Sequence, residues 1–300
     1  MDYSKPSLNV QDQIALLKKR GLKINNDEDA ERYLLSINYY RLTGYFDSFR
    51  NANQEEFFPD TSFEQILNLY HFDRELKLLV FSAIERIEIA FRTQMAYSPT
   101  LECGPNWYEN PENFYNFDKF ETQMDLLIKE LEKSKEEFLD HFYSKYADDF
   151  PPAWITFEAI SLGLLTNIYS NMHAKFNSKR LISKHFGIDD PVELQSWLFC
   201  ILAVRNICAH HGRFWNREFE VLPQDLKRPL ERWISTSPKK NKAYYIICCL
   251  FYMLRNVEPK TTFAEKLSNL LRKYPTISRA NMGFGKNWDL DEFWDPVCSF

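Results

Sequence analysis

An all-α fold is what this sequence predicts, on three observations. Apolar residues recur at helical spacing along nearly the whole chain, no series of alternating apolar and polar residues bounded by hairpin turns occurs, and 300 residues include only eight glycines. Taken in order, the first helix spans Gln11 to Arg20 and stops at Gly21, the chain restarts at acidic capping residues near Asp27 and Asp29, and an aromatic helical segment follows from Ile37 to Phe49. Thr61 and Ser62 cap a long helix, with Glu64 and Gln65 placed to close a capping box, and Pro99 is expected to end it near Tyr97. Residues 100–116, rich in Gly, Pro, Asn and aromatics, form an ordered loop, and one charged amphipathic helix covers Lys119 to Tyr146. After Pro151 and Pro152 come helices at Trp154 to Phe176, Ser178 to His185, Pro191 to His211, Leu222 to Ile234, Ala243 to Val257 and Thr261 to Lys273. The aromatic, glycine-bearing stretch Met282 to Trp294 is expected to fold back over the core. Either residues 1–55 are a helical extension ahead of a main domain at 56–300, or the chain is one continuous bundle.

Composition removes several classes. With 45% apolar and 16% aromatic residues the chain has ample material for a core. Its six cysteines include no CxxC pair and two are adjacent in an apolar run, which suits neither a disulfide framework nor a zinc site; reduced core residues are expected. His71, His141 and His173 have no ligand spacing with Cys or acidic residues, so no metal is expected. No nucleotide-binding glycine loop or nucleophile elbow occurs, so no cofactor is expected either. Met1 to Pro6 lacks the basic and apolar pattern of a secretory signal, and Tyr244 to Leu254 is too short to span a bilayer. A soluble cytoplasmic protein with no membrane partner follows as an expectation. The net charge of −5 argues against a surface coated with nucleic acid, yet Arg205 to Lys242 holds nine Lys or Arg against four Asp or Glu, a local basic stretch suited to phosphate.

That stretch begins on the most informative helix. Glu193 to His211 is apolar on every side from Trp197 to Val204, which marks a helix buried by its own domain, with added burial by a partner left open. Leu194, Leu198, Ile201, Arg205 and Cys208 fall on one stripe, so a guanidinium stands where the pattern calls for a hydrophobe. Asn206 and His210 are four apart and share a face, with Arg205 about 100° from Asn206 at 3.6 residues per turn. His210 sits at the negative end of the helix dipole, a placement that favours the imidazolium needed for acid-base chemistry. Gly212 is placed to serve as the C′ residue. A bare Arg-x4-His spacing carries little information, since Arg180 and His185 repeat it with Leu181 in place of the asparagine; that pair is a surface coincidence.

Arg205-Asn206-Ile207-Cys208-Ala209-His210 resembles the R-N-x-x-x-H motif of HEPN ribonucleases, and His211-Gly212-Arg213-Phe214-Trp215-Asn216 is similar to its continuation in the AbiD and AbiF group of Abi-like abortive-infection proteins. Ile37 through Tyr45, Tyr70-His71-Phe72-Asp73-Arg74, Glu85, Glu88, Arg92, Pro152 to Trp154, Glu158, Gly163, and Met282-Gly283-Phe284 with Trp288 extend the resemblance over most of the chain. It implies a HEPN-like helical core and a homodimer in which two motifs converge on one cleft and cut RNA without metal as part of phage defence. Arg205, Asn206 and His210 are then the catalytic set: His210 as acid or base, Arg205 on the developing phosphate charge, Asn206 as orienting group. His211, Arg213, Asn216, Glu85, Glu88 and Arg92 are candidate RNA-binding residues, although for Glu85, Glu88 and Arg92 an ordinary i,i+4 surface pairing is the favoured reading. The aromatics Tyr39, Tyr40, Tyr45, Phe46 and Phe49 read as core rather than a base-stacking platform. Two other readings stand beside the enzyme: a catalytically silent HEPN-fold protein that binds RNA or a partner, and a toxin held inactive by an antitoxin protein or a structured small RNA.

Overall fold

A computed structural model describes residues 7–51 and 55–294, so Met1 to Pro6 and Cys298 lie outside the described residues. Among the described residues there are twelve α-helices, five short 3₁₀ turns and no strand, only isolated bridges. The predicted all-α class is therefore correct. The chain divides into two compact units, residues 1–77 with 269–277 and residues 78–268 with 278–300.

In the first unit, α1 (Val10–Lys19) starts at Asn9, whose side chain accepts from the Asp12 amide, and the chain leaves it through Gly21 at φ +87°. The cap of α2 (Asp27–Ile37) is Asn26, which accepts from the Glu28 and Asp29 amides, so the acidic residues occupy the first turn and favour its dipole rather than capping it. α3 (Tyr39–Phe46) is separated from α2 by Asn38, which takes φ +67° and caps the Tyr40 amide; the aromatic helix is shorter than predicted at both ends. Leu42, Tyr45 and Phe46 are buried, while Tyr40 is 83% exposed and therefore not core. α4 (Phe63–Cys103) opens with the expected capping box, Ser62 N–H to Gln65 Oε1 at 2.9 Å and Gln65 N–H to Ser62 Oγ at 3.3 Å. Within it, the fully buried Asp73 accepts from the Tyr45 hydroxyl at 2.7 Å and pairs with Lys77 at 3.0 Å. Pro99, which lies in the second unit, does not end α4. It removes one ladder bond, but Met95, Ser98 and Pro99 are buried, and the helix continues until Gly104, whose φ of +91° turns the chain.

In the second unit, two predicted long helices are each broken. Ser134 to Glu136 is extended between α5 (Phe117–Lys133) and α6 (Glu137–Lys145). Ile160 and Ser161 separate α7 (Ala153–Ala159) from α8 (Leu162–Asn171), because Glu130 binds the Ser161 amide at 2.6 Å and its hydroxyl at 2.9 Å, while Ser161 caps α8. α9 (Asn177–His185) presents its first two amides to the Glu102 carboxylate. α10 (Pro191–Ala209) packs against α8, α9 and α11 (Ala243–Val257), and every residue from Ala243 to Leu254 is buried. The final helix, α12, covers Phe263–Lys273. By length and composition α10 is the one helix among the described residues able to cross a membrane, but its packing is that of a core helix.

The predicted helix at Leu222 to Ile234 is absent. Pro223 and Pro229 interrupt it, and the first turns of α10 hold the segment in extended form: Ser196 Oγ accepts from the Gln224 amide at 2.9 Å, Trp197 Nε1 donates to the Gln224 carbonyl at 2.8 Å, and Glu193 Oε1 accepts from the Lys227 amide at 3.0 Å. The stretch 282–294 packs on α11 as expected, with Trp294 stacked 5.0 Å from Phe251 and its Nε1 donating to the Tyr244 hydroxyl at 3.2 Å. Of the described cysteines, Cys200, Cys208, Cys248 and Cys249 are buried, whereas Cys103 is exposed, contrary to its expected core placement.

Candidate functional site

α10 delivers the three motif residues to its own C-terminal end. The stripe of Leu194, Leu198, Ile201 and Cys208 is buried as predicted, and Arg205 stands at its edge. The guanidinium is not fully buried; the residue is half-exposed, with its Nε sealed from water and lacking a hydrogen-bond partner among the described residues. An unpartnered buried donor of a charged group is costly, about 1–3 kcal/mol, so the guanidinium is not placed there by folding alone. Asn206 and His210 are exposed on the adjoining face.

The helix closes by a full Schellman motif, but one residue earlier than predicted. His210 is the C-cap, His211 takes the left-handed C′ position at φ +57°, and Gly212 follows at C″. Gly212 N–H bonds the Ile207 carbonyl at 2.8 Å and His211 N–H bonds that of Cys208 at 3.1 Å. Glycine serves at C″ because a Cβ on Gly212 would meet the Ile207 carbonyl and Cγ2 at 3.3 Å. The strained position thus falls to a histidine next to the motif histidine.

The chain after the motif is anchored by two buried rings, Phe214 and Trp215, the latter donating from Nε1 to the Ser278 carbonyl at 3.3 Å. Arg217 N–H then bonds the Phe214 carbonyl at 3.3 Å around a turn whose third residue, Asn216, sits at φ +50°, a conformation that asparagine accepts readily. Arg213 is half-buried beside exposed His211. Arg217, which the sequence reading passed over, is exposed and donates to the Arg213 carbonyl at 3.4 Å. Its signal was the same basic stretch, which does not say which cations face the motif.

Candidates on α4 are occupied differently. Arg92 donates to the Phe157 and Ile160 carbonyls at the end of α7 and to Glu88 at 2.7 Å, so its guanidinium is spent inside the fold. Glu85 is exposed. None of the hydrogen bonds of Arg92 or Glu88 runs to the motif. Arg180 pairs with Asp189 at 2.9 Å, and His185, packed edge-on to Phe186, is pushed below the ordinary histidine range by burial. Among the described residues no group of three His, Cys, Asp or Glu is placed to hold a metal ion.

Fold and site together define an all-helical protein with a guanidinium, an amide and an imidazole gathered at one end of its core helix. The chain belongs to the Abi-like protein family, whose sequence profile matches residues 32–216, well over half its length. At a coarse level this places it in abortive infection, that is, in phage defence. The match takes in the motif and closes at Asn216, while Met282-Gly283-Phe284 and Trp288 lie beyond it. No curated protein and no solved structure matches the chain.

Proposed function

We propose that this chain is a metal-independent endoribonuclease of the HEPN type, acting on RNA in the cytoplasm during phage defence as a homodimer. The observation that carries the reading is Arg205, its buried Nε without a partner, beside exposed Asn206 and His210 on the last turns of α10. In the proposed reaction the ribose 2′-oxygen attacks phosphorus while one imidazole takes its proton. The bond from phosphorus to the 5′-oxygen breaks, and a second imidazole protonates that leaving oxygen. The products are a 2′,3′-cyclic phosphate and a 5′-hydroxyl. Arg205 stabilises charge on the phosphorane oxygens and Asn206 orients phosphate or imidazole. One motif supplies one motif histidine, so a copy related by two-fold symmetry supplies the other. His211 and Arg213, together with Asn216, are proposed to hold the flanking RNA.

The test is incubation of purified protein with labelled transfer RNA and other cellular RNA in EDTA. Wild type is expected to yield cyclic-phosphate ends, and His210→Ala to lose at least about 100-fold in rate, the scale of general acid-base catalysis, with an unchanged melting profile. An equally active His210→Ala protein overturns the mechanism. A wild type that binds RNA without cutting it leaves the silent binding protein as the better reading.

A further inference from the structure

A cavity of about 360 Å³ opens at the start of α10, within the roughly 300–1,000 Å³ of small-molecule sites. Its wall is almost wholly charged: Arg180 from α9, Lys227 and Arg228 from the extended segment 222–234, and Asp189, Asp190 and Glu193 around Pro191. Most ligand pockets are lined chiefly by apolar groups, so a wall of this kind suits a ligand that is polar at both ends. The fold fixes the two cations of the extended segment. Lys227 N–H bonds Glu193 Oε1 at 3.0 Å, and just beyond Arg228, Leu230 N–H bonds the Gly187 carbonyl at 3.2 Å. Glu193, 1% exposed, is thereby committed to a backbone amide. Of the other carboxylates, Asp189 accepts from Arg180 at 2.9 Å and Asp190 lies 3.8 Å from the Lys227 ammonium, so Arg228 is the odd cation. It is exposed and hydrogen-bonds to none of the described residues. Its charge, with that of Lys184, adds to the Arg180 hydrogen bond in holding the Asp189 carboxyl below the ordinary range. Exposed ion pairs add little stability, so folding alone does not call for six charges about one cavity.

We infer that this cavity takes a ribonucleotide, its phosphate on Arg228 and Lys227 and its ribose hydroxyls on Asp189 and Asp190. Both aspartates make their hydrogen bonds through Oδ1, Asp189 to Arg180 and Asp190 to the Val192 amide, so each keeps an Oδ2 able to accept. The α10 amides are not the donors here, because Asp190 already caps them. A guanidinium grips phosphate oxygens in pairs, and carboxylates accept from the 2′- and 3′-hydroxyls of ribose, one of which deoxyribose lacks. The cavity is separate from the motif: Asp190 and Arg205 are fifteen residues apart, about 22 Å of helix rise. One chemistry has two sources, a free nucleotide or a nucleotide within a bound strand.

Equilibrium dialysis of the full chain in EDTA tests this, with AMP, GMP, CMP and UMP each beside its 2′-deoxy counterpart. A short labelled RNA and the matching DNA are the strand probes, read in a His210→Ala background so that the RNA stays whole. At least one ribo probe is expected to bind about tenfold or more tighter than its deoxy form. Asp190→Asn keeps the helix cap but turns Oδ2 into an amide donor, and is expected to erase that preference. Arg228→Ala is expected to weaken binding about tenfold, and the control Lys135→Ala to leave it unchanged. This pattern with a monophosphate identifies a free nucleotide; the pattern with the RNA alone identifies a strand. Equal affinity for ribo and deoxy forms, a preference that survives Asp190→Asn, binding that Arg228→Ala leaves unchanged, or no binding of any probe overturns the site. No arm depends on RNA being cut, so a failed nuclease reading leaves this result standing.

Discussion

At His211 a residue other than glycine holds φ +57° in a Schellman closure, a position where an L side chain costs about 1 kcal/mol or more. Folding alone favours glycine there. Strain kept beside a reactive group is the mark of a side chain retained for what it does, so His211→Gly is expected to raise unfolding free energy by about 1 kcal/mol while slowing RNA cleavage. Urea melts and cleavage assays on the same preparation check both halves; a variant that gains stability and keeps full rate removes His211 from the site. Arg92 calls for the opposite outcome. Its loss strips the Phe157 and Ile160 carbonyls of a donor and leaves Glu88 unpaired at 18% side-chain exposure, so Arg92→Ala is expected to lose about 2–4 kcal/mol, read by urea unfolding. That Arg205, Asn206 and His210 gather at the end of one helix was legible from helical spacing. The engagement of Arg92 was not, because its acceptors lie on a helix some 65 residues away.

Element by element, periodicity located helices well and their ends poorly. The apolar pattern of Ala243 to Val257 agrees with α11 because that helix is buried all round and nothing competes with its ladder. Leu222 to Ile234 has helical periodicity too, but its amides and carbonyls are taken by Ser196, Trp197 and Glu193, partners no local pattern reveals. Glu193→Ala is therefore expected to speed amide exchange in a peptide covering 224–230 without altering the rest of α10, as read by hydrogen-exchange mass spectrometry. The end of α8 gives a pH signature. Lys179 donates to the Met172 carbonyl at 2.7 Å and lies over the Tyr169 ring, and burial pushes its ammonium down to about 8. The unfolded chain holds that proton up to about 10.5, so it binds more protons than the folded chain between the two values. The cost of burying the charge is complete below pH 8 and is relieved as pH rises toward 10.5, by at most about 1.4 kcal/mol per pH unit. Wild type is expected to gain stability relative to Lys179→Met between pH 8 and 10 in paired urea melts; a flat difference would mean the ammonium stays charged in the fold.

For the whole molecule the decisive quantity is how many chains make one site. Taken alone, the chain offers a single RNxxxH imidazole where the proposed reaction uses two, and one symmetric pairing would supply the second. A composite site has a stoichiometric consequence that a self-sufficient one lacks. When a fixed amount of wild type is equilibrated with a threefold excess of His210→Ala, random pairing leaves about a quarter of wild-type chains with a wild-type partner, so cleavage is expected to fall to about a quarter. A fall that disappears when RNA is raised to saturation would point to competition for RNA, and no fall at any RNA concentration would mean that each chain works alone.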